Sequence, residues 1–262
     1  MKRLCKAFVC AFLLCAGSPA AMAAGEPAAG YEQLLQQAKE LLVNYKDSEA
    51  LQVYEQVLAV APENYEALCK ASYLHCRIGD RFGDETSKIN HFLKARQLAE
   101  QAYALNPTDA ESNFVMGLSI GCQAMVEGPR QRLAEINQIK GYIDAALACD
   151  SSHAGAWHIL GRWYFKMANL NFAEKLASKM LFGGISDNAT NEEAAYALER
   201  AIAYSPTNIR YYYDLASVYA EMKDTVACKS VLEKAIALRY ETKEELELSR
   251  RCKIMLQQQH KS

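Results

Sequence analysis

Few side chains in this chain are spaced for covalent or metal chemistry. The five histidines (His75, His91, His153, His158 and His260) include no H-E-x-x-H pair, and the sequence has no C-x-x-C, P-loop, G-x-S-x-G or G-x-G-x-x-G pattern. His75 and Cys76 are an adjacent base and nucleophile, and neighbours on a helix point ~100° apart, so the pair reads as packing. No catalytic residue, metal site or cofactor is expected. Recognition fits better. Arg162 stands beside Leu160, Trp163 and Tyr164, which have evident packing roles, whereas a guanidinium is seldom fully buried unless paired. Arg162 is expected either to anchor an acidic group of a partner or to lock the segment around Leu181-Phe-Gly.

The element that must hold Arg162 is a helix. Trp157-His-Ile-Leu160-Gly161-Arg-Trp-Tyr164 reads W-x2-L-G-x2-Y. Trp157, Leu160 and Tyr164 share one face at spacings of three and four, and Gly161 leaves room for a partner helix. This resembles the signature of the first helix of a tetratricopeptide repeat. Ala-Pro62-Glu-Asn, Asn-Pro107-Thr-Asp and Ser-Pro206-Thr-Asn each close an amphipathic run.

Counting Tyr31 as position 1 places Ala50, Tyr54, Val57 and Pro62 on the repeat's second-helix template, with Asp47 and Ser48 starting that helix. Further units open near residues 65, 110, 154 and 209. In the second unit, Ala95, Ala99 and Ala102 take the template positions after a glycine-bearing loop from Ile78, an insertion of about 11 residues. The third carries Met116 and Gly117, a loop at Gly128-Pro129 and a helix around Ile139 to Ala148. The fourth should hold three helices. Both Asn171 onward and Asn191 to Tyr204 fit, the latter with a capping box of Thr190 and Glu193, and Leu181 to Asp187 reads as the loop between them. The fifth returns to standard length. Lys243 to Gln259 reads as a capping helix over the last apolar face. The expected fold is all-α: a helical-repeat solenoid of about five helix pairs (31–64, 65–109, 110–153, 154–208, 209–242) with long inserted loops and a cap at 243–262.

Residues 1–23 combine a basic start, an apolar run from Ala7 to Ala16 and small residues ending Ala21-Met-Ala23, the pattern of a secretory signal, followed by a linker over 24–30. Export, to a periplasm, is the expectation; a mitochondrial presequence or a retained anchor are the alternatives, giving a mitochondrial or cytoplasmic location. A lipoprotein reading would modify Cys15, but Leu14 is bulky where a small residue is wanted. No later segment approaches the ~18 apolar residues a membrane helix needs. Of 29 basic side chains, Lys2, Arg3 and Lys6 lie in the leader, leaving 26 against 31 acidic ones, a balance of −5 that argues against a nucleic-acid surface. Six cysteines follow the leader. Cys69 and Cys76 would be ~10 Å apart on one helix, too far to bridge. Buried apolar roles are expected for them, with a Cys76–Cys122 link as the exception.

The blocks His158-Ile-Leu-Gly161-Arg162-Trp163, Ala168-Asn-Leu-Asn-Phe-Ala-Glu-Lys, Leu181-Phe-Gly183 and Ala189-Thr-Asn-Glu-Glu-Ala194 resemble the regulator of microtubule dynamics family. The resemblance implies divergent repeats with lengthened connections and a helical interaction protein without catalysis. Its animal members associate with microtubules or membranes; the leader departs from that pattern. Tetratricopeptide stacks imply a concave groove, here lined by Tyr73, Phe114, Leu118, His158, Arg162, Phe165, Arg210 and Tyr213, with Arg77 and Lys166 one position further round. Aromatics among arginines suit a peptide or protein partner, since rings add area at little entropic cost and guanidinium grips carboxylates. The same residues could instead pack against the insertions and pair with neighbouring acids.

Overall fold

The computed structural model describes residues 28–182 and 189–259, and no strand occurs among them. The leader and the loop stretch 183–188 lie outside the described residues. Twelve helices are described: α1 (Ala28–Val43), α2 (Asp47–Val60), α3 (Tyr65–Arg81), α4 (Glu85–Leu105), α5 (Ala110–Ala124), α6 (Pro129–Cys149), α7 (Ala154–Ala168), α8 (Phe172–Phe182), α9 (Asn191–Tyr204), α10 (Ile209–Glu221), α11 (Thr225–Ala237) and α12 (Lys243–Gln259). α1 with α2, α3 with α4, α5 with α6, α7 with α9 and α10 with α11 form antiparallel pairs that stack in order, and α12 covers α10 and α11. This is the tetratricopeptide-like solenoid.

Local chemistry sets the helix starts. Side chains of Asn64, Asp84, Asp109, Thr190 and Asp224 accept from the backbone N–H of Ala67, Ser87, Glu111, Glu193 and Ala227, filling donors that a helix N-terminus leaves open. His153 does the same for α7, with Nδ1 accepting from Ala156 N at 3.0 Å. Asp47 is not a cap: Lys46 occupies that place without a side-chain bond, and the buried Asp47 carboxylate turns to α3 instead.

The template positions pack as their spacing requires. Ala50, Tyr54 and Val57 on α2, and Ala95, Ala99 and Ala102 on α4, have no exposed surface. Gly161 sits where α7 and α9 are closest: a β carbon there would stand 2.6 Å from Leu198 Cγ and 3.1 Å from the Ala194 carbonyl oxygen. Gly117 meets Ile143 in the same way. Leu160 is buried, and Trp157, partly buried, donates Nε1–H to Ser151 O at 2.9 Å and meets Tyr196 edge-on. Tyr164 is likewise partly buried, edge-on to Trp163.

The inserted residues of the second and third units are helix rather than loop. α3 runs through Gly79 to Arg81, so only Phe82 to Asp84 join it to α4, which has 21 residues. Gly79 is there for space, since a β carbon would lie 2.7 Å from the Phe92 ring. α6 also has 21 residues and begins at Pro129, at the position in the first turn where the missing N–H costs nothing. The third insertion is α8, packed on α6 outside the α7–α9 pair. Its face bearing Phe172, Leu176 and Met180 is exposed, while Ala177 turns inward.

Candidate functional site

The first helices of the pairs, α3, α5, α7 and α10, form the inner face, and the groove residues expected from sequence fall into two groups there. Leu118, Arg162 and Phe165 converge on a cavity of about 560 Å³ between α5, α6, α7 and α10. Its walls are Leu118, Ile136, Ile139, Ile159, Phe165 and Val218, with Lys166 and Asp214 at its polar side. Arg132, Ile136 and Ile139 come from the first three turns of α6, mostly residues that the sequence reads as an inserted loop. The insertion builds the cavity wall. Trp163 pins it there by donating its indole N–H to Ile136 O at 2.9 Å.

The other group lies at a closed edge. Phe114 and His158 are buried and belong to no open groove. Phe114 packs against Tyr73 and against His153, and His158 lies on Tyr211 at 4.5 Å between ring centroids. The inner helices meet here: the Tyr73 and Phe114 rings lie 6.3 Å apart, and Tyr211 is within electrostatic reach of Tyr73 and Arg77. Arg77 covers the Tyr73 ring and pairs with Asp47 at 3.1 Å. Arg210 reaches Asp80 at 3.7 Å, joining α10 to α3. Arg81 bonds both Asp47 and Glu244, the latter in the first turn of α12. Tyr213 is half-buried and packs in the C-terminal core, and Tyr211 and Tyr212 are buried, so none of the three tyrosines is exposed.

Electrostatics separate Arg162 from its neighbours. Asp214 accepts from His158 Nε2–H at 2.6 Å. Burial works against the Asp214 carboxylate, but the His158 bond and the charges of Arg162 and Arg210 hold it below the usual carboxylate range. Burial pushes His158 down, so it serves as a neutral donor. Arg162 approaches Asp214 only to 4.0 Å, with its side chain 49% exposed. Around it the other polar groups are occupied. Lys166 pairs with Glu174 at 2.9 Å, Arg132 donates to Ala124 O and Glu127 O, Asn169 donates to Phe165 O and Asn191, and Ser217 donates to Tyr213 O. Leu181 and Phe182 end α8, and the rest of the segment that Arg162 could have locked lies outside the described residues.

His75 is buried, with Nδ1 2.9 Å from His91 Nδ1 and Nε2 3.3 Å from Glu55. Cys76 and Cys122 are free thiols in one small cluster with Phe92, and of the six cysteines after the leader Cys149 alone is exposed. Among the described residues no group of three His, Cys, Asp or Glu side chains could hold a metal, and no helix is long and apolar enough to cross a membrane.

A family profile described as Regulator of microtubule dynamics protein 1-3 matches residues 34–260. The chain belongs to the regulator of microtubule dynamics family. A member from Caenorhabditis elegans, regulator of microtubule dynamics protein 1, is 21% identical over 200 residues, covering 74% of this chain and 87% of the relative. Regulator of microtubule dynamics protein 2 from Macaca fascicularis is 24% identical over 202 residues, which is 71% of this chain and 48% of that longer member. In fold, the family's domain here is similar to a tetratricopeptide protein of Thermus thermophilus (TM-score 0.59, 16% identity, 87% of this chain and 99% of that one). It is also similar to PilW, a type IV pilus biogenesis factor (TM-score 0.51, 18% identity, 87% and 86%).

The pairings of Asp47, Asp80, Arg81, Asp214 and Glu244 escape the sequence reading. Asp214 alone has a usable local signal, standing four residues after Arg210 on one helical face. The others pair across repeats.

Proposed function

We propose that the protein is a non-catalytic scaffold of the cell envelope that holds a polypeptide partner at the cavity between α5, α6, α7 and α10. One observation carries the reading: in an apolar bowl whose other polar groups are satisfied by the fold, the Arg162 guanidinium keeps its donors for a ligand. Bulky apolar side chains of a partner fit the walls, and a carboxylate beside them suits the planar guanidinium. The stacked-repeat fold supports this role, because its inner face offers extended surface. Export through the leader is part of the same proposal, and a mature chain beginning at Ala24 is its expected result.

Crosslinking capture from cell envelopes, run with the wild type beside Arg162→Glu, tests it. Proteins held by the wild type and lost by the variant support the cavity as the docking site. Equal recovery by both sinks it. The family's animal members favour a second reading, an intracellular adaptor on microtubules. It predicts an intact Met1 in the cytoplasmic fraction and co-sedimentation with polymerised tubulin.

A further inference from the structure

α3 packs on α2, α4 and α5, while α12 packs on α10 and α11, so the second pair and the C-terminal cap have separate helical neighbours. Side chains join them nevertheless. Arg77 and Arg81 of α3 both reach Glu244 of α12, and Asp80 of α3 reaches Arg210 of α10. Asp47, 3% exposed at the start of α2, accepts a hydrogen bond from Arg81 and pairs with Arg77, holding both α3 arginines aimed at α12. Three cations and three carboxylates balance. Beneath them lie Tyr73, Phe114, His158 and Tyr211, the aromatic part of the inner face. Tyr211 lies within electrostatic reach of Tyr73 and Arg77, its hydroxyl pushed up to about 12, chiefly by burial.

We infer that these six side chains form an ionic clasp that closes the solenoid upon itself and gates access to its aromatic inner face. The pairs that cross to the C-terminal helices are weak by construction. Arg77, Arg81 and Glu244 are about one-third exposed, and Arg210 and Asp80 are 40% and 44% exposed. Pairs so open to water are screened as the Debye length falls from ~10 Å at 0.1 M salt to ~3 Å at 1 M. The Asp47 pairs, within adjacent helices and better buried, persist. Opening would therefore separate α3 from α10 and α12 without unstacking any repeat, and would extend the cavity at Arg162 into a longer groove. This gating role rests on the reading of the inner face as a partner surface; the clasp itself does not.

The test is hydroxyl-radical footprinting of the whole protein, with X-ray scattering and binding of the anionic aromatic dye 8-anilinonaphthalene-1-sulfonate. Glu244→Lys should raise oxidation of Tyr211 roughly five- to ten-fold, the gain expected from losing two partly exposed ion pairs, and should enlarge the radius of gyration with helicity unchanged. Salt at 1 M should do the same to the wild type, and Glu247→Lys, the same charge change one turn along α12, should not. Dye binding should rise with opening. Unchanged oxidation in Glu244→Lys, or an equal rise in Glu247→Lys, overturns the clasp; if Glu244→Lys does not fold, the salt series on the wild type decides alone. Opening without added dye binding overturns the gating and leaves the cavity reading intact. Absence of dye binding in every form counts against that reading while footprinting still decides the clasp.

Discussion

Gly161 of α7 and Leu198 of α9 are in contact at a distance that excludes any side chain on residue 161, with the prospective β carbon 2.6 Å from Leu198 Cγ. Gly161→Ala must push the two helices apart, because the Ala194 carbonyl closes the other side. The expected cost is about 1–3 kcal/mol, the range for overpacking a filled interface. Gly141, exposed on α6 with nothing within 4 Å of its prospective β carbon, supplies the contrast. Gly141→Ala should stabilise by up to ~1 kcal/mol through helix propensity. Thermal or urea unfolding of the two variants should move in opposite directions.

His75 makes stability depend on pH. Burial first, then the neighbouring His91 and Lys94, pushes its imidazole down to about 4. Above ~6.5 it is neutral folded or unfolded and adds no pH dependence. As pH falls below 6.5 the unfolded chain takes up the proton first, so stability declines until about 4, by up to ~3 kcal/mol. His75→Gln should flatten unfolding free energy over that window. A slope equal to the wild type's would show that His75 carries none of it.

The Trp163–Ile136 hydrogen bond ties α7 to the N-terminal half of α6. Trp163→Phe keeps most of the apolar contact but removes the second donor to the Ile136 carbonyl, which retains its bond within α6, at an expected cost of about 0.5–1.5 kcal/mol. It should also loosen the cavity wall. Proteolysis within 129–139 should quicken in this variant before global unfolding does.

Asp47→Asn removes the charge that two guanidiniums share while keeping the volume. The expected loss is about 1–3 kcal/mol, since the arginines are partly hydrated and can turn outward. Arg162→Gln, which removes only a half-exposed charge 4.0 Å from Asp214, should stay within ~1 kcal/mol of the wild type. Unfolding midpoints that ranked these two in reverse would mean that Arg162 is a structural residue.

The repeat signature is legible because its physics is local: Trp157, Leu160, Gly161 and Tyr164 lie within two turns of one helix, and their spacing implies a packed face. The three helices of the fourth unit are legible for the same reason, through Asn171 and Thr190. Gly79 and Pro129 mislead, because glycine and proline usually punctuate, whereas Gly79 serves helix packing and Pro129 opens a helix; Gly83 and Gly128 do stand between helices. The open or closed state of the inner face leaves no local trace. Arg81 and Glu244 stand far apart in the chain, and only the superhelix brings them together. Arg162 can be singled out as a cation among packing residues, but the bowl around it depends on where α6 begins.

That start has a consequence for how such chains can diversify. At 1.5 Å per residue, Pro129 to Gln138 extend α6 by ~15 Å beyond a helix beginning at Ile139. The extension carries the buried Ile136 and lines the cavity through Arg132 and Ile136. A deletion there would remove one side of the bowl and keep the order of the helices. An insertion of similar length in another pair would raise a new wall elsewhere. Ligand preference in this architecture can thus be gained, moved or discarded by lengthening single helices, with the repeat register inherited unchanged.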